Sequence, residues 1–161
     1  MRIVEAESGP ALADAALLFR EYAASLPFSL CFQGFEHELA TLPGRYARPA
    51  GRLFIAYDDA NQPAGCIALR DISQQVNAAN TCEMKRLYVR PQHRRAGLAR
   101  SLCDLLLTEA RAAGYTTMKL DTSSDMHPAI TLYRSLGFTE CERYNDDPMD
   151  DTLWFELKLL S

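Results

Sequence analysis

The stretch Glu83 to Arg100, E-M-K-R-L-Y-V-R-P-Q-H-R-R-A-G-L-A-R, constrains the fold of this chain more than any other. Leu87, Tyr88 and Val89 are good strand formers. Pro91 has no backbone N–H for a ladder, so the strand ends near Arg90. Arg94, Arg95, Ala96, Gly97 and Ala99 then lead into an apolar helical pattern. A helix start carries free N–H groups and the positive end of the helix dipole, which suits a phosphate. Gly97 lacks a Cβ, so a ligand oxygen can approach the backbone there. Arg94 and Arg95 add charge for phosphate oxygens. The net charge is −4, so the cluster Arg86, Arg90, Arg94, Arg95 and Arg100 stands on an acidic background. That balance disfavours nucleic acid as a partner and points to a small anionic ligand.

The rest of the chain supplies elements around this stretch. Arg2 to Ala6 reads as a first strand and Ala11 to Ala24 as a helix with one apolar face, ended by Pro27. Phe28, Leu30 and Phe32 form an apolar loop that either lines a pocket or packs on the core. Phe35 to Leu42 reads as a short helix stopped by Pro43-Gly44. Arg52 to Tyr57 and Pro63 to Arg70 form an antiparallel hairpin, Asp71 to Asn80 is a polar surface loop, and Thr81 to Val89 completes a meander. Leu98 to Ala113 is an amphipathic helix with Leu98, Leu102, Leu105, Leu106 and Ala113 inward and Glu109 and Arg111 outward. Thr116 to Asp121 follows as a strand, parallel to its predecessor through a right-handed crossover. Pro128 to Leu136 is a short helix ended by Gly137. Phe138 to Tyr144 and Thr152 to Leu159 are two final strands. The expected fold is α/β: a mixed, mostly antiparallel sheet of six to seven strands flanked by about four helices, in one domain over residues 1–161.

The five cysteines form no C-x-x-C and, being odd in number, suggest neither a disulfide framework nor a zinc site. No apolar run approaches a membrane span and no signal-peptide core opens the chain. The expected location is a reducing cytoplasm, with no membrane partner.

Arg94-Arg95-Ala96-Gly97-Leu98-Ala99 resembles the acetyl-CoA-binding signature of the GCN5-related N-acetyltransferase (GNAT) family: Gln or Arg, two residues, Gly, one residue, then Gly or Ala. Ala129 to Phe138, A-I-T-L-Y-R-S-L-G-F, resembles that family's second motif, and the element order agrees. The resemblance implies acetyl-CoA as cosubstrate. It would be held by Leu87, Tyr88 and Val89 on the central strand and by Arg94, Arg95, Ala96, Gly97, Leu98, Ala99 and Arg100 at the turn and helix start. The family's usual Asn, three residues before Ala129, is Met126 here, which leaves its contact to Asp125 or a backbone group.

The implied reaction transfers an acetyl group to a primary amine by direct attack on the thioester. The amine must be neutral, and Glu83 is the expected base, acting directly or through water. A backbone N–H near Leu87 is expected to stabilise the developing oxyanion. Tyr133 is the expected acid for the leaving thiolate, with an ordinary phenol pKa of about 10. His93 is expected as a solvated turn residue, His127 as a polar helix-start residue and Cys82 as packing. The acceptor is expected to be a small, cationic, partly apolar amine, drawn by Asp146, Asp147, Asp150 or Asp151. A peptide or protein amine, or a non-catalytic acyl-CoA sensor, are the alternatives, and a homodimer is left open.

Overall fold

Each predicted strand and long helix forms, in the predicted order. The computed structural model describes residues 1–30 and 34–159. Strands β1 (Arg2–Glu5), β2 (Arg52–Tyr57), β3 (Pro63–Asp71), β4 (Thr81–Val89), β5 (Thr117–Ser123), β6 (Thr139–Glu140) and β7 (Thr152–Lys158) form a single sheet in the order β1-β2-β3-β4-β5-β7-β6. Only β4 and β5 run parallel. The helix between them allows that direction, because parallel neighbours need a crossover connection rather than a tight turn. Among the described residues there are five α-helices: α1 (Pro10–Ser25), α2 (Phe35–Ala40), α3 (Ser73–Val76), α4 (Leu98–Ala112) and α5 (His127–Ser135).

The sheet buries both faces. On one, Leu98, Leu102, Leu106, Leu107 and Ala110 of α4 pack with Met118, Tyr133, Phe138 and Phe155. On the other, Ala15, Leu18 and Phe19 of α1 and Phe35 of α2 pack over Leu53, Ile55 and Tyr88. Burying each Leu or Phe contributes roughly 1.5–3 kcal/mol, so both layers are needed to offset chain entropy. A Cβ on Gly65 would stand 2.9 Å from the Tyr88 carbonyl and 3.3 Å from Leu98, so glycine lets α4 close onto the sheet.

Several boundaries differ from expectation. The polar segment after β3 holds the extra helix α3, whose Ser73 N–H is bound by Asp71 at 2.7 Å. Helix α2 ends at Ala40, and a 3-10 turn spans Gly44–Tyr46. On α4 the inward set runs through Leu107 and Ala110 rather than Ala113. Glu109 is not a free solvent residue, because Arg48 and Arg52 pair with it at 3.5 Å. The strand expected over Phe138 to Tyr144 is only Thr139–Glu140 long. Beyond Cys141 the chain leaves the ladder because side chains pull it elsewhere: Arg143 stacks over Trp154 at 4.5 Å, and Tyr144 and Asn145 reach toward the central strands. Phe32 lies outside the described residues.

Candidate active site

The site begins where two strands stop pairing. β4 and β5 are in register only at Thr81↔Thr117, Cys82↔Met118 and Glu83↔Lys119, then part like a fork. On the other side of β4, Ile67 of β3 faces both Arg86 and Leu87, the two-against-one pattern of a β-bulge. Arg86 and Leu87 therefore lack regular ladder pairing on either side. Arg86 takes a left-handed backbone, φ 62°, which costs a non-glycine residue about 1–2 kcal/mol. Two contacts hold it there. Its guanidinium grips Glu38 with two bonds of 2.9 Å, and its carbonyl accepts from the Cys66 thiol at 3.2 Å.

The basic turn follows β4. Arg94 folds back, its Nε donating to the Val89 carbonyl at 2.9 Å and its guanidinium lying 5.9 Å from the centre of the Tyr88 ring. Arg95 and Gly97 both have positive φ, at 67° and 81°. Gly97 immediately precedes α4, whose first N–H groups have no partner within the helix. A Cβ built on Gly97 meets nothing within 4 Å. The glycine thus serves a backbone shape and leaves open space where the helix dipole points. Arg100 donates to Ser135 at 3.0 Å.

A cavity of about 780 Å³ joins these parts. Its floor is β4 from Met84 to Val89 and β5 from Leu120 to Ser123; one end is the turn at Arg94, Arg95, Gly97, Leu98, Ala99 and Arg100. Met126, Ala129, Leu132 and Tyr133 of the α5 region form one wall, and Tyr22, Ser25, Leu26, Phe28 and Leu30 the opposite one. Thus the apolar loop does line a pocket, through Phe28 and Leu30, while Leu30 is also buried in the core. The groups expected to bind one ligand, from Leu87 through Arg100, therefore converge on one space, with Ala96 in the same turn.

The basic cluster does not act as a unit. Arg86 is committed to Glu38, and Arg90 grips Glu21 at 2.6 and 2.9 Å. Arg94, Arg95 and Arg100 line the cavity. His93 is no solvated residue, since its Nε2 lies 3.2 Å from Asp58. His127 does open α5, and Cys82 is buried.

Tyr133 lines the cavity while packing edge-on against Phe138 at 5.9 Å. Burial pushes its phenol well above the ordinary value assumed from sequence. Glu83 does not line the cavity. It is fully buried, with one oxygen 2.8 Å from Arg70 Nε and the other accepting from Tyr144 at 2.6 Å. Burial alone would raise its carboxyl; the Lys85 and Arg70 charges and the two hydrogen bonds draw it below the usual value. Lys85 lines the cavity, and burial lowers its ammonium pKa.

The fork also holds a carboxylate that the sequence did not single out. Asp121 of β5 lines the cavity and accepts from Asn145 Nδ2 at 2.6 Å; burial raises its carboxyl. The available signal was an acid at the end of the expected strand T-T-M-K-L-D, alternating with Met118 and Leu120 and in step with Lys119. Of the acidic loop, only Asp147 lines this cavity. Asp151 accepts from Ser123 at 2.7 Å, Asp150 is exposed, and Asp146 borders a second cleft beside Lys119 and Tyr144.

A family profile described as the Acetyltransferase (GNAT) family matches residues 17–138. An uncharacterized N-acetyltransferase of Schizosaccharomyces pombe is 33% identical over 92% of this chain and 88% of its own length. One from Dictyostelium discoideum is 30% identical over 89% and 92%. Among solved structures, yncA of Salmonella typhimurium with its cofactor acetyl-CoA superposes with a TM-score of 0.74, covering 100% of this chain and 95% of that one at 22% identity. No helix among the described residues is long and apolar enough to cross a membrane. This chain belongs to the acetyltransferase (GNAT) family, as an N-acetyltransferase that takes acetyl-CoA as its cosubstrate.

Proposed function

We propose that the protein acetylates a primary amine of a small, cationic, partly apolar molecule by direct attack on the acetyl-CoA thioester. The observation that carries this is the lining of the cavity on the side away from the basic turn. There the apolar Leu26, Phe28 and Leu30 stand in one space with the carboxylates Asp121 and Asp147. Apolar groups remove hydrocarbon from water, and the carboxylates attract an ammonium.

In this reading the free N–H groups at the start of α4, with Arg94, Arg95 and Arg100, hold the phosphates. The pantetheine arm lies in the fork beside Leu87, Tyr88 and Val89. A backbone N–H at the bulge near Leu87 receives the oxyanion that develops on the thioester carbonyl. Tyr133 gives its proton to the departing sulfur. Burial keeps its phenol protonated throughout the working range, and it disfavours the neighbouring thiolate equally. Glu83 acts as a positioning residue, binding Arg70 and Tyr144 beneath the fork.

The test is a competition among small amines, lysine peptides and peptide N-termini, followed as free thiol. Higher kcat/KM for small cationic amines is expected, and a clear preference for peptides defeats the reading. Tyr133→Phe is expected to lower kcat by about 10²-fold with acetyl-CoA affinity unchanged. Full turnover in that variant would return Tyr133 to a packing role.

A further inference from the structure

We infer that Asp121, standing where β4 and β5 part, is the group that takes the proton from the acceptor's ammonium. The inference rests on the amine-acetylation reading above and supplies its base.

Position comes first. The last paired residues of the fork are Glu83 and Lys119. Asp121 is two residues beyond Lys119, so its side chain shares that face of the sheet and meets the opening of the fork. It lines the cavity, and Glu83 does not. Occupancy comes second. Both oxygens of Glu83 are bound, one by a cationic guanidinium. Asp121 accepts from the neutral amide of Asn145 through Oδ2. Asn145 is itself fixed, because its Oδ1 accepts from Trp154 Nε1 at 2.9 Å. The hydrogen bond that orients the carboxylate thus comes from a neutral amide rather than from a guanidinium.

The charged and titratable groups around Asp121 come from every neighbouring element. Lys85 and Glu83 act from β4, and Asp147 and Tyr144 from the segment after β6. Tyr22 faces it from α1 and Tyr133 from α5. Burial, Glu83 and Asp147 raise its carboxyl, and Lys85 and the Asn145 bond lower it, with a net rise. A raised carboxylate is a stronger base than the depressed Glu83, so electrostatics and geometry select the same residue.

The step balances. The ammonium nitrogen gives one proton to an Asp121 oxygen and keeps the electron pair. That pair forms the bond to the acetyl carbon, and the C–S bond breaks with its electrons on sulfur. The nitrogen's remaining surplus proton reaches sulfur by way of Tyr133, giving the amide and free thiol. Asp121 returns its proton to water once the product leaves.

The experiment compares the full-length protein with Asp121→Asn and Glu83→Gln, using acetyl-CoA with benzylamine, trifluoroethylamine or a lysine peptide across pH. For benzylamine, Asp121→Asn is expected to lower kcat by about 10²-fold and to remove the acidic limb, which general base catalysis predicts. Acetyl-CoA affinity, read by calorimetry, stays unchanged. The penalty shrinks for trifluoroethylamine, a weaker base that is already largely neutral. A purely structural role would penalise both amines equally. Equal penalties, or a limb lost in Glu83→Gln and kept in Asp121→Asn, would overturn the inference. If the wild type acetylates only the peptide, the small-amine reading alone fails and the Asp121→Asn profile is read on the peptide. If it acetylates none of the three, both fail. Carbon-13 NMR of the wild-type protein with acetyl-CoA bound provides a check without a variant. An Asp121 carboxyl titrating at or below the ordinary value also overturns the assignment.

Discussion

Glu83 is a buried and Asp121 a half-buried carboxylate on neighbouring strands, and their surroundings push them in opposite directions. Glu83 is held below its ordinary value, so its contribution to stability is present at neutral pH and is lost as pH falls through that lowered value. Asp121 is held above its ordinary value. The folded state favours its protonated form, so that contribution is full in acid and is lost as pH rises through the raised value. Asp121→Asn is therefore expected to raise the melting temperature at neutral pH, an advantage that fades as the wild-type carboxyl is protonated in acid. Thermal melts across pH read this, and a lower melting temperature at neutral pH would contradict it. Arg86 presents the opposite case. Its side chain is 2% exposed and pairs with Glu38 at 15%. Arg86→Ala strands a largely buried carboxylate and is expected to cost about 3 kcal/mol in urea unfolding. At this scale the sequence shows least. The partners of Arg86, Arg90 and Glu83 lie 48, 69 and 61 residues away along the chain, and no local pattern encodes such pairings. Nor does any spacing mark an arginine with positive φ, since the strain is held by Glu38 and Cys66 rather than by a glycine.

Among elements, α4 and the turn before it were the most legible. The glycine, the flanking arginines and the apolar spacing are all local signals, and the structure adds the left-handed backbone at Gly97. Two substitutions separate its roles. Gly97→Ala meets no atom but keeps an unfavourable φ, so it is expected to cost about 1–2 kcal/mol of stability. Gly97→Glu also places a carboxylate where the proposed site holds the phosphates. Acetyl-CoA binding should weaken about a hundredfold, equal to about 2.7 kcal/mol. Calorimetry finding equal affinity in a folded Gly97→Glu protein would remove the phosphates from this turn. β6 was the least legible element. Its run of residues alternates well enough for a longer strand, yet Arg143, Tyr144 and Asn145 leave the ladder for partners on β7, β4 and β5. Side-chain chemistry across the sheet overrides strand propensity there.

At the scale of the molecule, the sheet is two smaller sheets, β1 to β4 and β5 to β7, joined by three register pairs. The order of elements, and the parallel pair that creates the junction, were visible from the run of strands and helices. Where pairing stops along that junction was not, because no local pattern marks how far two strands stay in register. In the proposed reading acetyl-CoA lies along the fork and bridges the halves. At a hundredfold excess over Kd it should stabilise the fold by about 2.7 kcal/mol, which raises the melting temperature of a chain this size by about 5–10 °C. Amide hydrogen exchange should slow most at residues 84–89 and 120–123, and protection elsewhere but not there would refute the bridging. The fork has a further consequence, for how this protein avoids its own kind. An unpaired strand edge on a surface invites a second chain to add to it and begins aggregation. Here the unpaired stretch of β4 lies in the middle of the sheet, between α1 and α5, where a slender molecule can enter and the edge of another protein's sheet has no room. In the proposed reading the enzyme keeps a sticky edge for its cosubstrate and conceals it from its neighbours.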